Sequence, residues 1–235
     1  MMVGMLEHFS TGNYRYLDSP GRPFSAGVVA DRGFDLVHAT LLKPLPLDRG
    51  LEAARQHLEQ VGRPAAALAA FELRIAQPLS RQGFDDFNAA YVARLRAIGV
   101  SAGEKLPAAR TNVAPTSSRI EEPSLYAFTY TLPGDREGPA FVLSGAPETD
   151  RTSTEAKLLS ILAVLDGRLD ALGTTWEHCT ATNFYGSALP AESAAVFQRL
   201  GSAAVHGVHW YPSLPPVTPL EYEIDARGTG REITI

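Results

Sequence analysis

The side chains of this chain that can do chemistry are few, and their spacing narrows what they can do. Glu221 and Glu223 are two residues apart, so in a strand they share one face; a carboxylate placed there can orient a water or move a proton. Arg110, inside the run Pro107-Ala108-Ala109-Arg110-Thr111-Asn112-Val113, carries a planar guanidinium that can grip both oxygens of a carboxylate. Taken alone, each of these reads first as a solvated strand residue, because arginine and glutamate mostly sit at the surface. His206 and His209, three apart, face opposite sides of a strand, and no acidic or cysteine partner stands at ligand spacing, so no metal site is expected. Cys179 follows His178, but neighbouring strand side chains point to opposite faces, and a buried structural thiol is expected rather than an activated one. Trp210 and Tyr211, beside the proline-rich stretch Pro212 to Pro219, can stack a flat ligand or plug a core.

Composition excludes several function classes. At 235 residues and 45% hydrophobic the chain can bury a sizeable core. A formal charge of −5 supplies no positive field for phosphates, so neither nucleic acid nor an anionic membrane is expected as a partner. The single cysteine rules out an internal disulfide framework and fits a reducing compartment. No apolar stretch reaches the ~20 residues of a membrane helix. Met1 to Phe9 lacks the charged start and long apolar core of a secretion signal. A soluble cytoplasmic protein without a cofactor is the expectation.

The elements that would position these residues repeat. In the first half a strand-like run, Phe34 to Leu42, leads to a helix from about Leu47 whose Leu51, Ala54, Leu58 and Val61 form an apolar face, ended by Gly62. In the second half Ala140 to Gly145 is the strand, and Leu158, Leu162, Leu165, Leu169 and Leu172 form the helix face that follows Thr152 and Glu155 in capping-box spacing. Ala67 to Ala76 is apolar enough for a buried strand, though its alanines leave a helix open. Phe84, Phe87, Tyr91, Leu95 and Ile98 stripe a second helix, and Ala108 to Val113 and Ser124 to Thr131 are strands. After the boundary, Trp176 to Tyr185 reads as a strand, Ala191 to Leu200 as a helix, and Val205 to Tyr211 and Leu220 to Ala226 as closing strands. Ser19-Pro20-Gly21 marks a turn before the first strand. The boundary is Pro133-Gly134-Asp135-Arg136-Glu137-Gly138-Pro139, dense in prolines, glycines and charges. This divides the chain into an N-terminal module, 1–132, a linker, 133–139, and a C-terminal module, 140–235.

Several local signatures in this order resemble the RidA/YjgF family of imine and enamine deaminases. Arg22-Pro23-Phe24-Ser25-Ala26-Gly27-Val28 is similar to that family's Gly-Pro-Tyr-x-x-Gly opening, with Phe24 in place of the tyrosine. Gly83 to Tyr91 resembles its Asp-Phe-x-x-Asn-x-x-Tyr helix, which contributes Asn88, and the Arg110 run resembles its Pro-x-Arg-Thr/Ser-x-Val strand. In the second half Leu143-Ser144-Gly145 is similar to the family's pocket-lining Ser-Gly strand, and Leu220-Glu221-Tyr222-Glu223 to its closing Ile-Glu-Ile-Glu strand. The pattern is divided: the second half has His206 where the arginine would stand, and the first has Ala39-Thr40 for Ser-Gly.

The resemblance implies an α+β fold of two fused chorismate-mutase-like modules, each a mostly antiparallel sheet with two helices packed on one face. It also implies a homotrimer with pockets between modules or subunits. Arg110 would fix a substrate carboxylate and Glu221 would position water, as the catalytic pair. Phe24, His38, Asn88, Ser144, Gly145 and His206 would line the pocket, with backbone N–H groups near Ser144-Gly145 receiving a substrate oxygen. The implied activity is hydrolysis of a small carboxylate-bearing imine or enamine. Two alternatives stay open: a non-catalytic carboxylate-binding or scaffold protein with degenerate pockets, and a hydrolase of a chorismate-like or ring-cleavage product on the same fold.

Overall fold

The computed structural model describes residues 4–19, 22–117, 119–150, 152–186 and 194–235; the last two residues of the turn expected at Ser19-Pro20-Gly21 and the first three of the helix expected over 191–200 lie outside them. The elements run β1 (Leu6–Phe9), β2 (Tyr14–Leu17), β3 (Gly27–Ala30), β4 (Phe34–Pro46), α1 (Leu47–Gln60), β5 (Leu68–Arg74), α2 (Arg81–Ala97), β6 (Ala109–Pro115) and β7 (Ser124–Pro133). They continue with β8 (Phe141–Pro147), α3 (Thr154–Leu172), β9 (Ala181–Gly186), α4 (Ala194–Leu200), β10 (His209–Leu214), β11 (Tyr222–Gly228) and β12 (Arg231–Thr234).

The expected pair of modules, each with its own antiparallel sheet, is overturned by how these strands pair. All twelve belong to one mixed sheet in the order β1-β2-β3-β8-β11-β9-β10-β6-β5-β7-β4-β12, so strands from the two halves of the chain interleave. Three ladders cross between halves. β3 pairs antiparallel with β8 (Val28 opposite Val142), β10 antiparallel with β6 (Leu214 opposite Ala114), and β12 parallel with β4 (Ile233 opposite Ala39). Strand edges are unpaired rows of N–H and C=O groups, and each half here covers an edge of the other. The sheet also curls: Ser25 bridges to Ala109, and the Ser25 N–H donates to the Ala108 carbonyl at 3.2 Å, which brings β6 against the β3–β8 pair.

The helices follow their apolar faces. α1 buries Leu47, Leu51, Ala54 and Leu58 in a cluster with Leu68, Phe71, Leu73, Leu125 and Phe128. α3 is capped by Ser153, whose Oγ accepts from the Ala156 N–H at 3.1 Å, one residue after the cap that spacing suggested, and ends at Gly173 with φ +72°. Its leucines enclose Phe141, Leu143 and Ile224 of β8 and β11, together with the buried Cys179. Trp176–His178 is a 3-10 turn, not strand, because Thr175 caps it through the Glu177 N–H; β9 starts only at Ala181. Gly201–His206 is likewise a 3-10 turn in place of the expected strand start. No described helix is long and apolar enough to cross a membrane.

Candidate functional site

α2 departs from its predicted stripe in a way that creates the site. Asn88, Tyr91 and Leu95 are buried, but Phe84 and Phe87 are only half-buried, and Phe84 forms part of a cavity wall. That cavity, about 610 Å³, lies where α2, β6, β8 and β11 meet. Phe24, Phe84, Pro147, Pro216, Val217 and Leu220 give it apolar walls, and Asn88, Arg110, Asn112 and Glu223 are its buried polar groups. Volume and lining are those of a small-molecule pocket.

Arg110 is 3% exposed and has no carboxylate ion-pair partner among the described residues. Its Nη1 donates to Asn88 Oδ1 at 2.8 Å, and its guanidinium lies 4.0 Å from the Phe24 ring centroid and 4.9 Å from that of Tyr91. Ring faces carry partial negative charge, so this box holds a cation while leaving its remaining N–H groups for a ligand. Burial, with a contribution from Arg22, lowers its pKa to about 10, which still leaves it charged at neutral pH. Behind it, Ser144 Oγ accepts the Arg110 backbone N–H at 2.9 Å and donates to the Ser25 carbonyl at 2.6 Å. Arg168 of α3, also buried, donates to the Ser144 carbonyl at 2.6 Å and adds a second positive charge beneath the cavity.

Glu223 brings the opposing chemistry. It is 4% exposed and lies over Gly145 so closely that a Cβ there would sit 1.9 Å from Glu223 Oε1. Burial and the neighbouring Asp225 raise its carboxyl to about 8 despite Arg110, Arg22 and Arg168, so it carries a proton at neutral pH. Asp225 faces the adjoining strands, accepting from Thr111 Oγ1 at 2.6 Å and Asn183 Nδ2 at 2.8 Å. The site thus pairs a fixed cation with a neutral carboxylic acid.

Of the residues singled out from sequence, the cavity gathers Phe24, Asn88, Arg110 and Gly145, with Ser144 directly behind. Three stand elsewhere. Glu221 falls before β11, is 54% exposed and pairs with Lys157 Nζ at 2.6 Å; the glutamate that lines the cavity with Arg110 is Glu223. His38 is buried within β4, with Nδ1 3.1 Å from Thr129 Oγ1 and Nε2 3.6 Å from Glu72, and burial beside Arg227 lowers its pKa to about 4. His206 is exposed at the end of its 3-10 turn. The expected backbone oxyanion donors are engaged as well: the Ser144 N–H donates to the Ala26 carbonyl at 3.0 Å and the Gly145 N–H to Thr111 Oγ1 at 3.2 Å.

Sequence reasoning passed over Asn112 and Arg168. Asn112 stands two residues from Arg110 on the same strand, and that parity places it on the same face. Arg168 interrupts the leucine face of α3, where a charge needs a reason to be buried.

The known proteins similar to this chain are a family with one of its sequence relatives and two distant solved structures. Residues 6–233 match the family described as 2-aminomuconate deaminase CnbZ. A 2-amino-5-chloromuconate deaminase of Comamonas testosteroni is 36% identical over 251 residues, spanning 97% of this chain and 98% of that one. Among solved structures, a chorismatase aligns with TM-score 0.48 and 14% identity over 97% of this chain and 80% of its own. A cyanuric acid hydrolase aligns with TM-score 0.40 and 10% identity over 86% and 69%. By the extent of the family match and of the curated relative, this chain is an enzyme and belongs to the 2-aminomuconate deaminase CnbZ family, not to the RidA/YjgF family that its short motifs resemble.

Proposed function

We propose that this enzyme hydrolyses the carbon–nitrogen bond of a 2-aminomuconate-type substrate, a linear unsaturated diacid with an amino group beside one carboxylate. The observation that carries the reading is the buried, unpaired guanidinium of Arg110 in one cavity with the protonated carboxyl of Glu223. Arg110 takes the carboxylate next to the amino carbon, where a charge-assisted contact fixes the reacting end. The conjugated middle lies against Phe24, Phe84 and Val217. Arg22 and Arg81 line the same cavity, are exposed, and take the distal carboxylate.

The substrate is an enamine, so its first need is a proton on a chain carbon, and Glu223 supplies it. The result is an iminium whose carbon accepts water. Glu223, now a carboxylate, receives the proton that the attacking water gives up. Collapse of the resulting carbinolamine breaks the carbon–nitrogen bond and leaves a carbonyl. One water enters and one ammonia leaves, with no change of oxidation state.

Mixing the purified protein with 2-aminomuconate tests this. The expected result is release of one ammonia per molecule of substrate lost, with the 2-oxo diacid as product. Arg110→Met is expected to lower kcat/KM by roughly 10²–10³-fold, the usual size for removal of a preorganised charge contact. Wild-type protein that leaves 2-aminomuconate intact sinks the reading.

A further inference from the structure

Among the described residues, Asn112 is the one side chain lining the cavity whose polar atoms are both buried and unpartnered. It is 2% exposed, and neither Oδ1 nor Nδ2 has a hydrogen-bond partner, although its backbone is held in the β5–β6 ladder opposite Leu73. Leaving an amide in this state is costly, because each group has given up its hydrogen bonds to water without replacement. Leucine has similar volume and would fill the position without that cost. A polar group kept so expensively, two residues from Arg110 and on the same face, is one that a ligand satisfies.

We propose that Asn112 recognises the amino group of the substrate, its Oδ1 accepting an N–H while its Nδ2 donates to the adjacent carboxylate. This rests on the deaminase reading above and assigns the residue that distinguishes an amino diacid from the same diacid without nitrogen. The complementarity is geometric. An amide presents one acceptor and one donor side by side, and an α-amino acid end presents one donor and one acceptor at matching separation. The same two-point match lets asparagine read the N–H and ring nitrogen of adenine. Arg110 cannot perform this discrimination, because a guanidinium has donors only and an N–H needs an acceptor. Glu223, protonated and turned to proton transfer, is committed elsewhere. The contact also favours the reaction: as the enamine becomes an iminium its N–H groups gain positive charge, and a hydrogen bond to Oδ1 strengthens on the way to the transition state.

The test compares two probes on the intact enzyme: 2-aminomuconate as substrate, followed by kcat/KM, and muconate, the diacid lacking nitrogen, followed as a competitive inhibitor. For Asn112→Leu we expect kcat/KM to fall about 100-fold while the Ki of muconate, which loses only the Nδ2 contact to its carboxylate, rises by no more than about tenfold, and the unliganded variant to melt at or above the wild-type temperature, since two unsatisfied atoms are gone. Asn112→Ala, which opens space, serves as the second variant should leucine disturb the ladder. Equal weakening of both probes, or unchanged turnover of 2-aminomuconate, overturns the assignment to the amino group. In either of those cases wild-type ammonia release still stands and the deaminase reading survives. A wild-type enzyme inert toward 2-aminomuconate removes both.

Discussion

In the proposed mechanism Glu223 sets how the site responds to pH. Its carboxyl titrates near 8, against 4.5 for a free glutamate, because burial and Asp225 outweigh three nearby arginines. Proton donation to the enamine needs the acid form, so kcat/KM should hold through neutral pH and fall as pH rises past about 8. In Glu223→Gln that limb should vanish and activity should drop roughly 10²–10⁴-fold, the span of lost general acid–base catalysis. Stability carries the same signature. Between about 4.5 and 8 the unfolded chain has lost this proton while the folded chain keeps it, so the folded state is progressively disfavoured as pH rises through that window. Denaturant midpoints at pH 5 and pH 8.5 should therefore move closer together in Glu223→Gln than in wild type; equal spacing in the two proteins contradicts the buried proton. Sequence alone singled out Glu221, whereas the glutamate that lines the cavity is its neighbour on the same face, Glu223. Alternation puts Glu221 and Glu223 on one face, but only the ladder with β8 and β9 shows that pairing starts at Tyr222, with Glu221 left to Lys157. Asn112 gave no sign beyond its parity with Arg110, since nothing in a sequence distinguishes an orphaned amide from a satisfied one.

Among the elements, β8 holds the tightest constraint. It runs between β3 and β11, and at Gly145 it lets the Glu223 side chain cross where any other residue would place a Cβ, 1.9 Å from Oε1. Glycine serves here for close approach rather than for backbone freedom. Gly145→Ala should push the carboxyl out of position, lowering kcat by at least about tenfold with less effect on muconate inhibition, because Arg110 is untouched. Unchanged kcat in a folded Gly145→Ala would mean that the carboxyl has no fixed place in catalysis. Element positions were largely legible: α1 begins at Leu47 as its apolar period requires, and β6 and β7 fall where their β-rich runs lie. The exceptions have local causes. Thr175 and its cap tighten residues 176–178 into a 3-10 turn, a side-chain hydrogen bond that apolar periodicity does not register.

At the scale of the whole molecule the order of strands decides how the chain unfolds. Repetition along the sequence suggested halves with separate sheets, yet pairing partners are set by which edges meet, and hydrophobic period carries no information about that. The three crossing ladders make β3 complete β8, β10 complete β6, and β12 complete β4. The cavity is built across the same junctions, taking Arg110 and Asn88 from one half and Glu223 and Gly145 from the other. If the first half unfolded alone, β8 and β10 would expose edges and Arg168 would lose the Ser25–Ser144–Arg110 contacts that organise its surroundings. Unfolding should thus be a single transition. With about 0.7 kcal/mol per residue near 60 °C, a cooperative unit of 235 residues absorbs roughly 160 kcal/mol. Scanning calorimetry should return a van't Hoff enthalpy close to that calorimetric value, whereas independent halves would give a van't Hoff enthalpy near half of it. Muconate should raise the single midpoint as a whole by mass action, since ligand bound across the junction stabilises both halves together. Two resolved peaks, only one of them moved by muconate, would show that the interleaved sheet does not couple the halves.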